Sequence, residues 1–272
     1  MQNLNPNLQF AKEILIVIVL GLIAIAILTS GGIGLSWYRN QQPTSCNVAS
    51  VKLYGGLVYY YGEGIDASSS ADQTAAEDVR QQIEAADANP SVKAILLQVN
   101  SYGGDGVAGE DIAAALRHAG KPTVALISNS GMSAAYWAAT GAQTIFASAN
   151  SLVGDIGVTR SYLDQTAQDK QNGLTFISLT AGKYKDMGNP SSPLTPEEKI
   201  LFQRNLDIGM RDFINAVAQN RHLSVASVTA LADGSSMLGQ MALQNGLIDK
   251  IGGIYDVQDY LKGKIGDVAF CP

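Results

Sequence analysis

The chain has 272 residues, of which 46% are apolar and 15% are charged, and its formal net charge is −6 at pH 7. This length can bury a hydrophobic core in one large domain. The negative charge argues against a nucleic acid as partner, because binding to phosphates requires a basic face. The two cysteines stand in no CxxC pair and near no histidine, so the sequence indicates no zinc site, and we expect no metal and no cofactor.

The first predicted element is an apolar segment near the N-terminus. Residues 14–35 carry no charge, and at about 1.5 Å per residue they can cross a hydrocarbon core of roughly 30 Å. A cleavable signal peptide is the alternative, but its apolar part is usually only about 7–15 residues long. Aromatic residues suited to a membrane interface follow directly. We therefore predict a short tail over residues 1–13, a transmembrane anchor over 14–36 and a linker over 37–47.

The orientation of this anchor is indicated by a small difference in charge. Lys12 and the α-amino group precede the segment, and Arg39 follows it. We expect an N-terminus-in topology in a cell membrane, crossed once, with the remaining chain on the extracytoplasmic side. In that compartment Cys46 and Cys271, which bracket the globular part, are candidates for a disulfide, and two free thiols are the alternative.

The globular part alternates between predicted strands and predicted helices. The strands are expected over residues 48–61, 93–100, 122–128, 144–147 and 174–179, and the helices over 74–86, 107–119, 133–140 and 195–220. Thr195, Pro196 and Glu198 form a capping box with proline at the first helical position. Such alternation predicts an α/β domain with mainly parallel strands joined by crossover helices. We place this domain at residues 48–262, followed by a C-terminal tail over 263–272.

Three glycine-bearing loops follow predicted strands, where open α/β sheets place their functional sites. The loops are Asn100-Ser-Tyr-Gly-Gly-Asp, Ser130-Gly-Met-Ser and Val153-Gly-Asp-Ile-Gly-Val. In the second loop Ser133 stands at the start of a helix, where free amide groups stabilise a developing negative charge. Each loop alone could be an ordinary turn, and Ser133 could be an ordinary N-cap. Together the loops make Ser133 a candidate nucleophile.

A nucleophilic serine needs a base, and the chain offers few candidates. His118 lies inside a predicted helix, and His222 follows the long helix, where it can simply cap the C-terminal end. Lysine is therefore the candidate base by elimination, as in the known Ser-Lys variants of the catalytic triad. A lysine base must be neutral, so its surroundings have to lower its pKa.

These motifs resemble the signal peptide peptidase A type of serine protease, which has the ClpP/crotonase fold. The resemblance extends over about residues 51–253, and five segments carry it in the same order as in the family. They are Asn100-Ser-Tyr-Gly-Gly, Gly131-Met-Ser-Ala-Ala-Tyr-Trp-Ala-Ala, Val153-Gly-Asp-Ile-Gly-Val, Ala181-Gly-Lys-Tyr-Lys-Asp and Gly239-Gln-Met-Ala-Leu-Gln-Asn-Gly-Leu-Ile-Asp.

The resemblance implies a role for each matching residue. Ser133 is the nucleophile and Lys185 the general base, and the neighbouring Lys183 is separated from Lys185 by the motif alone. The oxyanion hole consists of the amides of Gly103, Gly104 and Ala134. In single-domain members the lysine comes from an adjacent subunit, so a homo-oligomeric ring is implied. The implied reaction is hydrolysis of peptide bonds, with signal peptide remnants or other membrane-associated peptides as substrates.

The chain departs from the family pattern at three places. Tyr102 stands where proline is usual, and Ala134 and Ala135 replace glycines after the nucleophile. Asp155 stands where the family has a serine that orients the lysine. A carboxylate there could hold Lys185 but would favour its ammonium form. Asp155 and the two alanines are the basis of the alternative that the chain is a catalytically inactive membrane scaffold. A crotonase-like acyl-CoA enzyme is a third hypothesis.

Overall fold

The structure is a computed structural model that describes residues 46–62 and 72–271. The strands are β1 (Val48–Val58), β2 (Gln73–Ala75), β3 (Ala94–Gly104), β4 (Thr123–Met132), β5 (Thr144–Ala147), β6 (Leu152–Gly154), β7 (Ser236–Leu238) and β8 (Lys250–Ile251). The helices are α1 (Ala76–Ala88), α2 (Gly106–His118), α3 (Ala134–Thr140), α4 (Thr166–Gln171), α5 (Pro196–Arg221), α6 (Val225–Leu231), α7 (Gly239–Gln244) and α8 (Ile254–Ile265).

The predicted anchor over residues 14–36 and its preceding tail lie outside the described residues, as does the linker up to residue 45. Within the part of the chain that the structure describes, no helix is both long enough and apolar enough to cross a membrane. The described residues therefore belong to the predicted globular part and to the end of the predicted linker.

The strands form one sheet in the order β2-β1-β3-β4-β5-β8, and every pair along this path is parallel. Strand β6 continues the sheet beside the end of β4, and β7 pairs antiparallel with β6. The predicted α/β class with mainly parallel strands is thus confirmed. Parallel neighbours require crossover connections, and helices α1, α2 and α3 supply them between β2 and β5.

Both faces of the sheet are buried, which explains the nearly continuous apolar runs in its strands. On β3, Ile95, Leu97 and Val99 pack into the core that contains α1, α2, α3 and α5. The alternate residues Ala94 and Leu96 face a smaller core closed by α8. The period of two along β3 therefore assigns its side chains to two separate cores.

One predicted strand is wrong. Residues 174–179 form an irregular loop with no β pairing, and Leu179 is 94% exposed. The apolar composition suits a strand, but no described strand lies beside this segment to provide hydrogen bonds. A strand is stabilised by its neighbour in the sheet, which local sequence does not reveal.

Two further boundaries differ for identifiable reasons. Strand β1 ends at Val58, where its pairing with β2 ends, and not at residue 61, and it passes through Gly55-Gly56 with a shift of register at which Gly55 adopts a positive φ of 68°. The helix expected from residue 74 begins at Ala76, since Gln73–Ala75 pair with the end of β1. Both differences come from pairing between strands.

The domain extends beyond its predicted end at residue 262. Helix α8 continues to Ile265, and Phe270 forms a parallel bridge with Val48 at the beginning of β1. The amide of Asn47 donates to the carbonyl oxygen of Ala269 at 2.8 Å. Both cysteines are disulfide-bonded, so the alternative of two free thiols is wrong.

Candidate active site

Ser133 lies in a strained turn between the end of β4 and the start of α3. Its φ of 51° and ψ of −129° are unfavourable for a residue with a side chain. The turn is held at both ends, because the Ser133 amide donates to the oxygen of Gly154 at 2.8 Å and its carbonyl accepts from the amide of Trp137 at 3.0 Å. Such a conformation costs about 1–3 kcal/mol and concentrates at functional sites.

Helix α3 anchors this turn in the core. All seven of its residues are buried, and Trp137 stacks on Phe213 of α5 with ring centroids 4.7 Å apart. The small side chains of Ala134 and Ala135 allow the helix to enter the core directly after the serine. The packing of α3 therefore fixes Ser133 in its strained conformation.

The first glycine loop packs directly against the serine. An ideal Cβ added to Gly103 would lie 2.8 Å from the Cβ of Ser133 and 3.0 Å from the amide nitrogen of Ala134. Gly103 and Gly104 both have positive φ angles, 96° and 152°. Glycine is therefore required at position 103 both for its conformation and for its approach to the serine.

Two amides of the predicted oxyanion hole differ in their hydrogen bonding. Ala134 is the first residue of α3, so its N–H has no partner within the helix. The Gly103 amide instead donates to the hydroxyl of the fully buried Ser101 at 3.0 Å. That bond orients the loop, and it also occupies a donor that an oxyanion would need.

Ser133 lines a cavity of about 510 Å³. The cavity wall combines the loop after β6, one face of α5 and the loop before β7. Its lining residues are Ser133, Asp155, Gly157, Val158, Thr159, Gln203, Leu206, Asp207, Met210, Ala232, Asp233 and Gly234. A concave space of this size next to a strained serine can hold part of an extended peptide.

Asp155 lies in the same cavity as Ser133. It also adopts a positive φ, 53°, and its amide donates to the oxygen of Ser235 at 3.1 Å. Burial raises the pKa of its carboxyl above the ordinary aspartate value. A cation next to this carboxylate would offset that cost, which is consistent with a role in holding a lysine.

Lys185 does not line the cavity, in contrast to Ser133 and Asp155. It lies in an exposed turn, where its amide donates to the oxygen of Gly182 at 3.1 Å. Within the described ranges it takes part in no ion pair, whereas Lys183 pairs with Glu197 at 3.1 Å. Hydrogen bonds to Tyr184 and Glu197 raise the pKa of Lys183. Lys183 is therefore the poorer candidate for a neutral base.

The two histidines lie outside this cavity. His118 is exposed on α2, with Nδ1 2.8 Å from the oxygen of Ala114, and His222 ends α5 in a left-handed conformation. Across residues 46–62 and 72–271, no group of three His, Cys, Asp or Glu side chains is arranged to hold a metal ion. Among the described residues, the candidate site consists of a serine, backbone amides and a carboxylate.

The sequence matches peptidase family S49 over residues 115–266, and the chain belongs to this family. The Clp protease family also matches, over residues 56–152. The predicted relationship to signal peptide peptidase A-type proteases is confirmed, and the parallel sheet agrees with the implied ClpP-like fold. The S49 match and the relatives named below support the predicted class, a serine-type peptidase.

Three relatives share about a third of their aligned residues with this chain. A protein of Methanocaldococcus jannaschii named as a protease is 34% identical over 75% of this chain, and one of Enterococcus faecium named as a signal peptide peptidase SppA is 31% identical over 71%. Protease 4 of Haemophilus influenzae is 30% identical over 79%. The matches span 66%, 57% and 35% of these relatives' own lengths.

A solved structure of a ClpP1 mutant from Listeria monocytogenes aligns with 76% of this chain and 92% of its own, at 16% identity and a TM-score of 0.49.

Sequence reasoning missed several features of the site. The positive φ angles of Ser133 and Asp155 were not predicted, because neither residue is glycine. The part of the cavity wall formed by α5 and residues 232–234 was also missed, although Asp233-Gly-Ser is a turn signal. These features depend on segments that are distant in sequence.

Proposed function

We propose that this chain is a membrane-anchored serine endopeptidase whose site is completed by a second subunit. The observation that carries the proposal is the strained conformation of Ser133 in a chain of peptidase family S49. The strain and the tight fit against Gly103 support a nucleophile that the core holds in place. A serine that only caps a helix typically has β-region backbone angles, and Ser133 does not.

The proposed reaction proceeds through an acyl-enzyme. Lys185 of the partner subunit, in its neutral form, takes the hydroxyl proton of Ser133 while Oγ attacks the peptide carbonyl carbon. The C–N bond then breaks, and the departing amine receives the proton from the ammonium group. Water then attacks the resulting ester while its proton passes to the lysine, the C–O bond to Ser133 breaks, and the ammonium group returns the proton to Oγ, which releases the carboxylic acid product and restores the neutral lysine.

The negative oxygen formed in each attack requires hydrogen-bond donors. The Ala134 amide is free of helical partners and lies next to Gly103, which supports its role as a donor. For the Gly103 amide to contribute, its bond to Ser101 must lengthen or be shared. We assign Gly104 as the third candidate donor, on the family pattern.

Several observations support a base from another subunit. Lys185 lies outside the cavity of its own chain, and its segment exposes apolar side chains that include Leu174, Ile177 and Leu179. Contact with a second copy would cover such side chains. Asp155 would then hold the incoming ammonium group, in place of the serine that the family uses. A homo-oligomeric ring is the proposed assembly.

The proposed location is the extracytoplasmic side of a cell membrane. The apolar segment 14–36 supports an anchor, and the disulfide-bonded cysteines support an oxidising compartment. Peptides derived from membrane proteins, such as signal peptide remnants, are the proposed substrates. The relative in Enterococcus faecium carries the name of such a peptidase.

One observation favours the alternative of an inactive scaffold. Asp155 would stabilise the charged form of the lysine, which cannot accept a proton. A peptidase remains the better proposal, because an inactive scaffold would have no need for the strained Ser133. Family S49 membership also argues against an acyl-CoA enzyme.

A fluorophosphonate probe, which reacts with activated serines, tests the proposal. We expect the full-length protein in detergent to be labelled, and labelling to be lost in Ser133→Ala and in Lys185→Ala. Ser148→Ala, which changes an exposed serine outside the cavity, and Lys183→Ala are the matched controls and should retain labelling. Absence of labelling in the wild type would favour the scaffold.

A further inference from the structure

The cavity beside Ser133 has an apolar floor and an acidic rim. Ala232 is buried, and Leu206 and Met210 are half-buried, so these three supply the apolar surface. Asp207 on α5 and Asp233 before β7 are exposed at its edge. The described residues that line the cavity include no lysine, arginine or histidine. The cavity therefore offers negative charge without an internal counterion.

The two walls are held together close to the serine. The amide of Gly234 donates to the oxygen of Ile156 at 3.2 Å, which extends the pairing of β6 with β7 towards the cavity. On the other side, an ideal Cβ on Gly209 of α5 would lie 3.8 Å from Val158. Asp207 and Asp233 thus belong to elements that pack on the same segment, residues 156–158.

Local hydrogen bonds orient both carboxylates. Asp233 accepts from the hydroxyl and the amide of Ser235, at 2.6 and 2.8 Å, and these bonds lower the pKa of its carboxyl. Asp207 accepts from the Nε2 of Gln203 at 2.7 Å through Oδ1. Each residue uses Oδ1 in these bonds, which leaves the second carboxylate oxygen available.

We infer that this cavity binds a lysine or arginine side chain of the peptide substrate, with Asp207 and Asp233 as the residues that select it. The inference rests on the proposed function, because only the nucleophile in the same cavity makes it a substrate site. Long basic side chains combine an apolar stem with a charged end. The stem would contact Leu206 and Met210, and the charge would lie between the carboxylates at the rim.

Asp155 has a separate task in this account. It follows β6 directly, next to Ser133, and is the residue proposed to hold Lys185 of the partner subunit. Asp207 and Asp233 line the same cavity from other elements, on α5 and before β7. The catalytic lysine and the substrate cation would therefore be bound by different carboxylates.

Quenched peptides that differ at a single residue test the inference. Lysine and norleucine have nearly the same apolar stem, and they are compared at each position from three residues before to one residue after the scissile bond. At one position we expect kcat/KM to favour lysine by about fivefold per carboxylate, the upper range for an exposed ion pair. The ratio should fall towards one as salt is added.

Matched variants assign the preference to the two carboxylates. The double variant Asp207→Asn, Asp233→Asn should cleave the lysine and norleucine peptides equally well. Asp207→Lys should shift the preference towards a peptide with glutamate at the same position. Asp212→Asn changes an exposed aspartate on the same helix, outside the cavity, and should keep the wild-type ratio. A wild-type ratio of one at every position, or an unchanged ratio in the double variant, would overturn the inference.

Failure of the proposed function gives a different result. If the wild type neither cleaves peptides nor reacts with fluorophosphonate, the peptidase proposal is wrong. The same lysine and norleucine peptides are therefore also titrated against Ser133→Ala by fluorescence anisotropy. If Ser133→Ala binds the lysine peptide more tightly than the norleucine peptide, and loses this difference when Asp207→Asn and Asp233→Asn are added, the cavity assignment is supported independently of catalysis. Equal affinities of Ser133→Ala for the two peptides would overturn it. A change of oligomeric mass in the double variant would instead assign the carboxylates to a subunit contact and overturn the inference.

Discussion

The segment that carries Ser133 and the segment that carries Lys185 differ in how the chain holds them. Residues 94–154 contain the central strands and the fully buried helix α3, and hydrogen bonds fix the serine on both sides. Residues 158–195 contain one short helix, α4, with no buried residue, and mostly exposed loops. The chain thus completes the nucleophile within its own core but leaves the proposed base outside the cavity.

This difference separates two physical roles. Strain at Ser133 can persist because the surrounding core stabilises the fold by much more than the strain costs. The loop with Lys185 has few buried contacts, so its position would depend on what it contacts in an assembly.

Removal of the two neighbouring lysines should give very different results. Lys185→Ala is expected to lower kcat/KM by about 10³-fold, because a general base contributes about 10²–10⁴-fold. Lys183→Ala removes only an exposed ion pair with Glu197, and we expect a change of less than about threefold. Both rates are measured on the same quenched peptide. Equal losses would show that the motif misassigns the base.

A methyl group added beside the nucleophile should disturb the geometry of the site, although every catalytic side chain is kept. Gly103→Ala would put a Cβ 2.8 Å from that of Ser133 at a positive φ, and we expect kcat/KM to fall about 10²-fold, as for a lost oxyanion donor. Gly106→Ala, at the first residue of α2, is the nearby control, because its Cβ would meet no atom within 4 Å. A fully active Gly103→Ala would contradict the tight fit of loop and serine.

The carboxylate of Asp155 should set the pH dependence of the reaction. The proposed base acts in its neutral form, and a carboxylate next to an ammonium group favours the charged form. Asp155→Ser should therefore move the rising limb of the pH–rate profile to lower pH by about one unit. Asp186→Ser, close to Lys185 in sequence, is the control. If the rising limb of the Asp155→Ser profile stays at the wild-type pH, Asp155 does not influence the protonation of the lysine.

The strain at Ser133 should be measurable as stability. Ser133→Gly and Ser133→Ala both remove the hydroxyl, but only glycine tolerates a φ of 51°. We expect the glycine variant to have a free energy of unfolding about 1 kcal/mol higher than the alanine variant. Urea unfolding of the two proteins provides the comparison. A more stable alanine variant would show that the turn is not strained.

The parts of the fold that were predicted correctly depend on local patterns. The strand over residues 144–147 and the start of α5 at Pro196 are as expected, because an apolar run and a capping box are encoded within a few residues. The strand expected over 174–179 is absent because it needs a neighbour in the sheet. Local patterns do not specify which segments meet.

The same distinction applies to the site. The sequence predicted Ser133 and Asp155 as members of two loops, and both line one cavity. It could not predict their positive φ angles, since these arise from bonds to Gly154 and Ser235 and from the packing of α3. Lys185 remains a prediction, because its place in a site depends on a second subunit.

A complementation experiment tests the shared site most directly. Ser133→Ala and Lys185→Ala proteins, distinguished by a mass tag, are labelled with fluorophosphonate alone and after mixed assembly, with mixed oligomers verified by native mass spectrometry. Our account predicts that each variant alone is unlabelled and that the Lys185→Ala subunit becomes labelled in the mixture, because its neighbour supplies the lysine. Mixed oligomers that remain unlabelled would contradict a site built from Ser133 of one subunit and Lys185 of another.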